Sequence, residues 1–208
     1  MSISGTLWRG AVPLVLASGS ATRRQLLDAS GLTTLVARPE TDERQVENEL
    51  VRSGADSAAI AAGLALVKAK GVSASWPGHI VLGADQVLDL DGERFHKPAT
   101  MADAASHIRR LSGRTHRLIS AFALVRDGTL LSAGSAEAEL TMRALSSAAI
   151  AGYCAAVGPA ILSSVGAYQI EGPGIHLFSQ IKGDHSTILG LPLLPLFDAL
   201  RRLEMLAE

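Results

Sequence analysis

The segment from Leu14 to Leu32, LVLASGSATRRQLLDASGL, constrains the fold more than any other part of the chain. Its apolar start predicts a buried strand, and the pattern after the three small residues at Ser18–Ser20 predicts a helix. That helix is expected to stop at Gly31, because glycine is favoured just past a helix end. A strand that passes through a tight turn into a helix is typical of α/β proteins.

Helical and extended patterns are interleaved along the rest of the chain, but they do not alternate strictly. Asp127-Gly128 lies between two alternating apolar runs and predicts a hairpin. Thr100 and Asp103 have capping-box spacing at the start of a helix. Further expected elements are a strand at Ile80–Leu82, a strand at Ala136–Met142, a helix at Ser147–Val157, a helical face with Ile60, Leu64 and Val67, and a terminal helix with Leu196, Leu200 and Leu203. We therefore predict an α/β fold with a mixed central β-sheet flanked by helices. The chain length is enough for a single domain, residues 1–208, with two lobes around a cleft.

Composition excludes several functional classes. The formal net charge of −1 provides no global field for nucleic acid or an anionic membrane. The single cysteine, Cys154, excludes an internal disulfide and is expected to be a buried core thiol. The apolar run near the start is short and interrupted by Pro13, unlike a signal peptide or membrane span. A cytoplasmic protein is the expectation.

The opening segment has the features of an anion site. A helix N-terminus exposes unpaired N–H groups and partial positive charge, and Ser18 and Ser20 add hydroxyl donors beside it. Arg23 and Arg24 oppose the helix dipole there, which favours an anionic partner such as phosphate. An ordinary serine cap followed by two solvated arginines explains the same residues equally well.

Charged residues elsewhere could complete such a site. Asp85 follows a buried strand, a common functional position in open α/β sheets. Glu43 and Asp42, in an acidic run, could join it in holding Mg²⁺ or Mn²⁺. Lys68 and Lys97 could clamp phosphate. Taken singly, the acidic run is more typical of a solvated face and each lysine of the surface. The six histidines lack the spacing of a metal site.

Considered together, these segments resemble the Maf family of nucleoside triphosphate pyrophosphatases from Leu14 to Leu200. The matching pieces, in order, are LASGSATRRQLL, ETDE, KAK, GADQV, DGERFHKP, LSGRTH, GAYQIEGPG and GDHSTILGLP. No P-loop or dinucleotide-binding fingerprint competes with that resemblance.

The resemblance implies an enzyme that hydrolyses a nucleoside triphosphate to the monophosphate and pyrophosphate with a divalent metal, often as a homodimer. It implies that Asp85 is the proton acceptor, that Glu43 is its acidic partner, and that both are associated with the metal. It also implies a set of phosphate-binding positions: Ser18, Ser20, Arg23, Arg24, Lys68 and Lys97. A non-catalytic nucleotide-binding regulator of cell division is the alternative, although such a protein needs no water-activating carboxylate.

Three positions differ among Maf subgroups and imply base specificity: Thr22, Gln86 and Glu171. The S-x-S-x-x-R-R spacing, DQV and EG resemble the 7-methyl-GTP pyrophosphatase subgroup, with dTTP or UTP as the alternative substrates. A carboxylate at Glu171 could accept from N1–H and the N2 amine of guanine. Thr22 departs from that subgroup because it lacks an aromatic ring. His96 and the 163–168 stretch SSVGAY also depart from the common family pattern.

Overall fold

The computed structural model of the chain describes residues 7–207. Within that range it has seven strands: β1 Leu14–Ala17, β2 Thr34–Ala37, β3 Val81–Leu90, β4 Glu93–Phe95, β5 Thr115–Arg126, β6 Thr129–Met142 and β7 Phe178–Lys182. It has seven α-helices: α1 Ala21–Ala29, α2 Glu43–Arg52, α3 Ser57–Ser73, α4 Met101–Leu111, α5 Ser147–Val157, α6 His185–Ile188 and α7 Leu193–Arg202. Two 3₁₀-helices cover Gly158–Ser163 and Pro173–Leu177.

The strands form one mixed sheet in the order β2-β1-β3-β5-β6-β7, with β4 paired to β3. Strand β1 is parallel to both neighbours, with Ala17 opposite Ala37 on β2 and Gly83 on β3. The pairs β3–β4 and β6–β7 are antiparallel. The predicted mixed α/β fold is therefore confirmed.

The chain divides into two compact units. The first unit contains residues 7–86, 119–136 and 184–207, and the second contains Val87–Leu118 and Glu137–Gly183. Strands β3, β5 and β6 have residues in both. The cleft and the single domain expected from the sequence stay predictions.

The first unit has an aliphatic core contributed by its strands and by α1 and α7. Fully buried side chains in this core include Leu14, Leu16, Leu27, Leu82, Phe122 and Leu200. In the second unit α4 contacts α5, and both contact the 3₁₀-helix at Gly158–Ser163. None of the helices within residues 7–207 is long and apolar enough to cross a membrane.

Local signals produced the expected helix ends and turns. Ser20 caps α1, and Gly31 follows that helix with φ of 82°. Thr100 and Asp103 form the capping box of α4. Asp127 and Gly128 both have positive φ between β5 and β6, as a two-residue hairpin requires.

Several predicted details differ from the structure. The strand expected at Ile80–Leu82 continues as β3 to Leu90, because almost every side chain along it is buried and β4 pairs with its far end. The strand predicted from Ala136 is the second half of the longer β6. The buried face of α3 includes Lys68, whereas Val67 is half-buried. Cys154 is half-buried, because α5 turns Ile150 and Tyr153 inward instead.

Candidate functional site

Strand β1 leads directly into a polar turn at the N-terminus of α1. Ser18 is buried at the end of the strand, and its Oγ accepts from the Ser20 backbone N–H at 3.2 Å. The Ser20 Oγ in turn accepts from the Arg23 backbone N–H at 3.3 Å. Both hydroxyls predicted to bind phosphate therefore also shape the turn.

Arg23 is held on three sides by the first unit. Its Nε donates to the Gly190 carbonyl at 2.8 Å, and its Nη1 donates to the Ala84 carbonyl at 2.8 Å and to Ser18 Oγ at 3.2 Å. Within residues 7–207, none of its side-chain hydrogen bonds uses Nη2. Burial lowers the pKa of the Arg23 guanidinium, while the charges of Asp85 and Glu43 oppose that change. An arginine starts so far above neutral pH that it remains a cation here.

The two adjacent arginines have different environments, although the sequence predicted the same phosphate-binding role for both. Arg24 is exposed and forms an ion pair with Asp28 one turn further along α1, with Nε and Oδ2 3.5 Å apart. Such exposed pairs contribute little to stability. Arg23 is thus preorganised, and Arg24 is free to move toward a ligand.

A buried ion cluster joins α2, α3 and β3. The Lys68 Nζ is 2.6 Å from Asp85 Oδ1 and 2.9 Å from Glu43 Oε2. Lys68 and Asp85 are almost fully buried, and Glu43 is half-exposed at the first residue of α2. The ammonium neutralises part of the carboxylate charge, as buried ions require.

Asp85 lies inside β3, two residues past the last parallel pair of β1 and β3. The prediction that Asp85 follows the strand is wrong, because the strand continues past it. Its position relative to the sheet is nevertheless the expected one, because the parallel part of the sheet ends there.

Gln86 points its amide nitrogen into the first unit. Nε2 donates to the Thr187 and Ile188 carbonyls, both at 3.0 Å, and to Ser120 Oγ at 3.1 Å. Two backbone carbonyls can only accept, so the orientation of the amide is determined and Oε1 is its remaining polar atom. Thr22, the other predicted specificity position in the first unit, is half-buried in the first turn of α1.

Sequence reasoning missed four residues around this cluster. Ser120, Thr187 and Gly190 hold Gln86 and Arg23, and Arg38 follows β2 with its Nε 3.8 Å from the position of a Cβ at Gly19. Arg38 had a positional signal, since the carboxyl ends of neighbouring parallel strands meet at one edge, and Thr187 and Gly190 lie in the matching piece GDHSTILGLP.

Lys97 and Glu171 belong to the second unit. Lys97 is exposed and borders a cavity of about 320 Å³ whose lining also includes Arg94, His96, His107 and Arg110. Glu171 is exposed in the turn that precedes the 3₁₀-helix at Pro173–Leu177. The structure therefore groups the other predicted residues in the first unit, and the participation of these two stays a prediction.

A neutral buried framework holds the turn that carries Glu171. The His116 Nε2 is 2.7 Å from the Tyr168 hydroxyl, and the Tyr168 ring packs edge-on against Phe178. Burial lowers the pKa of His116 from 6.5 to about 4 and raises the pKa of Tyr168. Two residues of this framework, His116 and Tyr168, are thus uncharged at neutral pH.

The carboxylates fit a partial rather than a complete metal site. Among residues 7–207 no group of three or more histidine, cysteine, aspartate or glutamate side chains could hold an ion. Mg²⁺ is commonly held by one or two carboxylates, with water and substrate phosphates completing its shell. Asp85 and Glu43 match that smaller donor set.

Comparison with known proteins gives consistent relatives. The family model described as "Maf-like protein" matches residues 13–203. A "7-methyl-GTP pyrophosphatase" of Rhizobium etli is 51% identical over 190 residues, which are 91% of this chain and 96% of the relative. A "Nucleoside triphosphate pyrophosphatase" of Nitrobacter winogradskyi is 52% identical over 196 residues, covering 94% and 96%. A "7-methyl-GTP pyrophosphatase" of Brucella abortus is 49% identical over 191 residues, covering 92% and 96%.

Proposed function

The chain belongs to the Maf family, and we infer that it is a nucleoside triphosphate pyrophosphatase with a preference for 7-methyl-GTP. It is a hydrolase that converts a nucleoside triphosphate to the monophosphate and pyrophosphate. The observation that supports this function best is the buried Lys68 ammonium between Asp85 and Glu43, beside the polar turn of α1.

The reaction requires a water molecule to attack a phosphorus atom of the anhydride between the α- and β-phosphates. A new P–O bond forms, the bridging P–O bond breaks, and the water proton passes to a base. We assign that base to Asp85, because it is a buried carboxylate held in one position by Lys68. The part of the substrate beyond the bridging oxygen leaves with the electrons of the broken bond: pyrophosphate when water attacks the α-phosphorus, the nucleoside monophosphate when it attacks the β-phosphorus.

Cationic and N–H groups of the first unit would bind the phosphates. The N-terminus of α1 supplies partial positive charge, Arg23 supplies its unused Nη2, and exposed Arg24 supplies a second guanidinium. Of these groups, the N-terminus of α1 and Arg23 are preorganised for the charge that develops on phosphoryl oxygens. Lys97 would add a further cation from the second unit.

Asp85 and Glu43 would hold a divalent metal together with the substrate phosphates. When bound, such an ion neutralises phosphate charge and lowers the pKa of coordinated water. The chain's own contribution is to keep both carboxylates beside Lys68, whose ammonium restrains them in one place.

Base preference would depend on acceptor groups. Glu171 can accept from N1–H and the N2 amine of guanine, and its charge attracts a 7-methylated ring. Gln86 can offer only its Oε1, since its nitrogen is used inside the first unit. These acceptor groups match the N–H groups of guanine. A base that presents a carbonyl at the same place would set acceptor against acceptor, so guanine is favoured.

The test is pyrophosphate release from 7-methyl-GTP, GTP, dTTP and UTP with Mg²⁺ or Mn²⁺. Asp85→Asn is expected to lower kcat about 10³-fold, a typical contribution of a general base. Asp89→Asn is the matched control, because Asp89 is a buried, ion-paired carboxylate on the same strand, 3.3 Å from Arg117 in the second unit. It should retain kcat when circular dichroism shows it folded.

Each contrary result has a defined meaning. Full activity of Asp85→Asn would remove Asp85 as the base. Binding without turnover of any nucleotide would favour the regulatory alternative. A panel in which dTTP or UTP leads would replace the 7-methyl-GTP preference with the pyrimidine alternative.

A further inference from the structure

We propose that Ser120 is a positioning residue that orients Arg23 through the 187–190 segment. The proposal rests on the proposed function, because it gives Arg23 the task of binding a triphosphate. Within the part of the chain that the structure describes, Ser120 forms no hydrogen bond with Arg23. It acts through backbone groups that lie between them.

Ser120 is completely buried in β5, and its hydroxyl both donates and accepts a hydrogen bond. Its Oγ donates to the Thr187 carbonyl at 2.7 Å and accepts from Gln86 Nε2 at 3.1 Å. Gln86 also donates to the Thr187 and Ile188 carbonyls. A buried hydroxyl with donor and acceptor roles both satisfied restrains its partners, so Ser120 fixes the start of the segment.

The other end of the segment orients Arg23. Gly190 donates its N–H to the Thr187 carbonyl at 3.1 Å, and its own carbonyl accepts from Arg23 Nε at 2.8 Å. Gly190 has φ of +94°, a region that other residues enter only with strain. A Cβ at this position would lie 3.5 Å from Arg23 Nε and Nη2. The Thr187 carbonyl therefore connects Ser120 to the group that aims the guanidinium.

The orientation of the guanidinium matters because it is planar. With Nε and Nη1 bound to carbonyls, the direction of Nη2 is determined, and phosphate recognition by arginine depends on such geometry. Loosening the segment should weaken triphosphate binding in the ground state and transition state alike. That effect raises KM and leaves kcat nearly unchanged.

The first measurement is the KM for the preferred nucleotide. Ser120→Ala should raise KM about tenfold with kcat within about twofold. Ser120→Thr keeps the hydroxyl and should keep KM within about twofold of the original. Ser73→Ala is the matched control: it also removes a buried serine hydroxyl of the first unit, one that accepts from the Gly128 N–H, and should leave KM unchanged.

A double-mutant cycle separates positioning from general damage. In an Arg23→Lys background, which lacks the planar fork, Ser120→Ala should change KM less than about twofold. An additive tenfold loss in both backgrounds would overturn the proposal. If Ser120→Ala does not fold, Gly190→Ala takes its place, with the same non-additivity expected and the same additive result counting against it.

Binding of inorganic triphosphate, measured by calorimetry, needs no turnover. Ser120→Ala should weaken this binding about tenfold when Arg23 is present and less than about twofold in the Arg23→Lys variant. If the protein turns over no nucleotide but shows this coupling, the proposed function fails and the positioning role stands. If the protein turns over nucleotides but the losses of triphosphate binding are additive, the proposed function stands and the positioning role fails.

Discussion

Lys68 and Asp85 are buried in the first unit as charged groups that neutralise each other, whereas His116 and Tyr168 are buried in the second unit as neutral groups. The charged cluster contains the predicted base, and Tyr168 of the neutral pair lies shortly before exposed Glu171 in the chain. A buried charge strongly depends on its partner, while a buried neutral pair depends on remaining uncharged. The two units should therefore respond differently to substitution and to pH.

The largest effect is expected for Lys68→Met. The substitution leaves Asp85 and Glu43 without the ammonium that both contact, so two carboxylates close together lose their neutralising partner. We expect a loss of about 3 kcal/mol in the free energy of unfolding and a loss of 100-fold or more in kcat/KM. Urea unfolding and pyrophosphate release measure the two effects.

Lys70→Met is the control for this substitution. Lys70 lies two residues further along α3 and is exposed, so both quantities should stay close to those of the original chain. Equal losses of unfolding free energy and of kcat/KM in the two variants would show that the ion pairs of buried Lys68 have no particular role.

The second effect concerns pH and His116. Because its pKa is about 4 in the folded chain and 6.5 ordinarily, the unfolded chain binds a proton first as pH falls. Stability present above pH 6.5 is therefore lost between pH 6.5 and 4, by about 3 kcal/mol. His116→Gln, which cannot titrate, should make the loss over this range shallower, as measured by urea unfolding at several pH values.

Exposed His176 provides the comparison in the same unit. His176→Gln should leave the acid dependence of unfolding as it is. An acid dependence unaffected by His116→Gln would contradict the account of a neutral pair that must remain uncharged.

A smaller effect is expected for Glu171→Gln, which removes a charge from the turn above the neutral framework. The preference for 7-methyl-GTP over UTP should fall about tenfold, because glutamine offers a donor and an acceptor together. Overall kcat should change little. Glu139→Gln, at another exposed carboxylate of the second unit, should keep the ranking of substrates. An unchanged ranking in Glu171→Gln would end the base-recognition hypothesis.

The smallest effect is expected at the start of α4 in the second unit. Thr100→Ala removes the cap that accepts from the Asp103 N–H and should lower the free energy of unfolding by about 1 kcal/mol. The substrate ranking should not change, because the cap is not part of the framework under Glu171. A changed ranking would show that base preference depends on the whole unit rather than on its neutral framework.

Local rules predicted much of the fold. The Thr100–Asp103 box, the Ser20 cap and the Asp127-Gly128 turn each depend on residues within three positions of one another, so their physics is contained in short segments. The mixed sheet followed from the interleaving of those segments. Asp85 and Lys68 were singled out by residue type, yet the sequence located neither the strand around Asp85 nor the buried face that contains Lys68.

The sequence by itself determined which residues could do phosphate chemistry, because carboxylates, ammonium groups and guanidinium groups are properties of the side chains. The tertiary structure decided which of them are buried, paired or free. Arg23 and Arg24 are adjacent in sequence, but the carbonyl of Gly190, 167 positions from Arg23, separates their roles. Ser120 bonds to Thr187 across 67 positions in the same way. Such contacts depend on how distant segments pack, and no local pattern of residues encodes them.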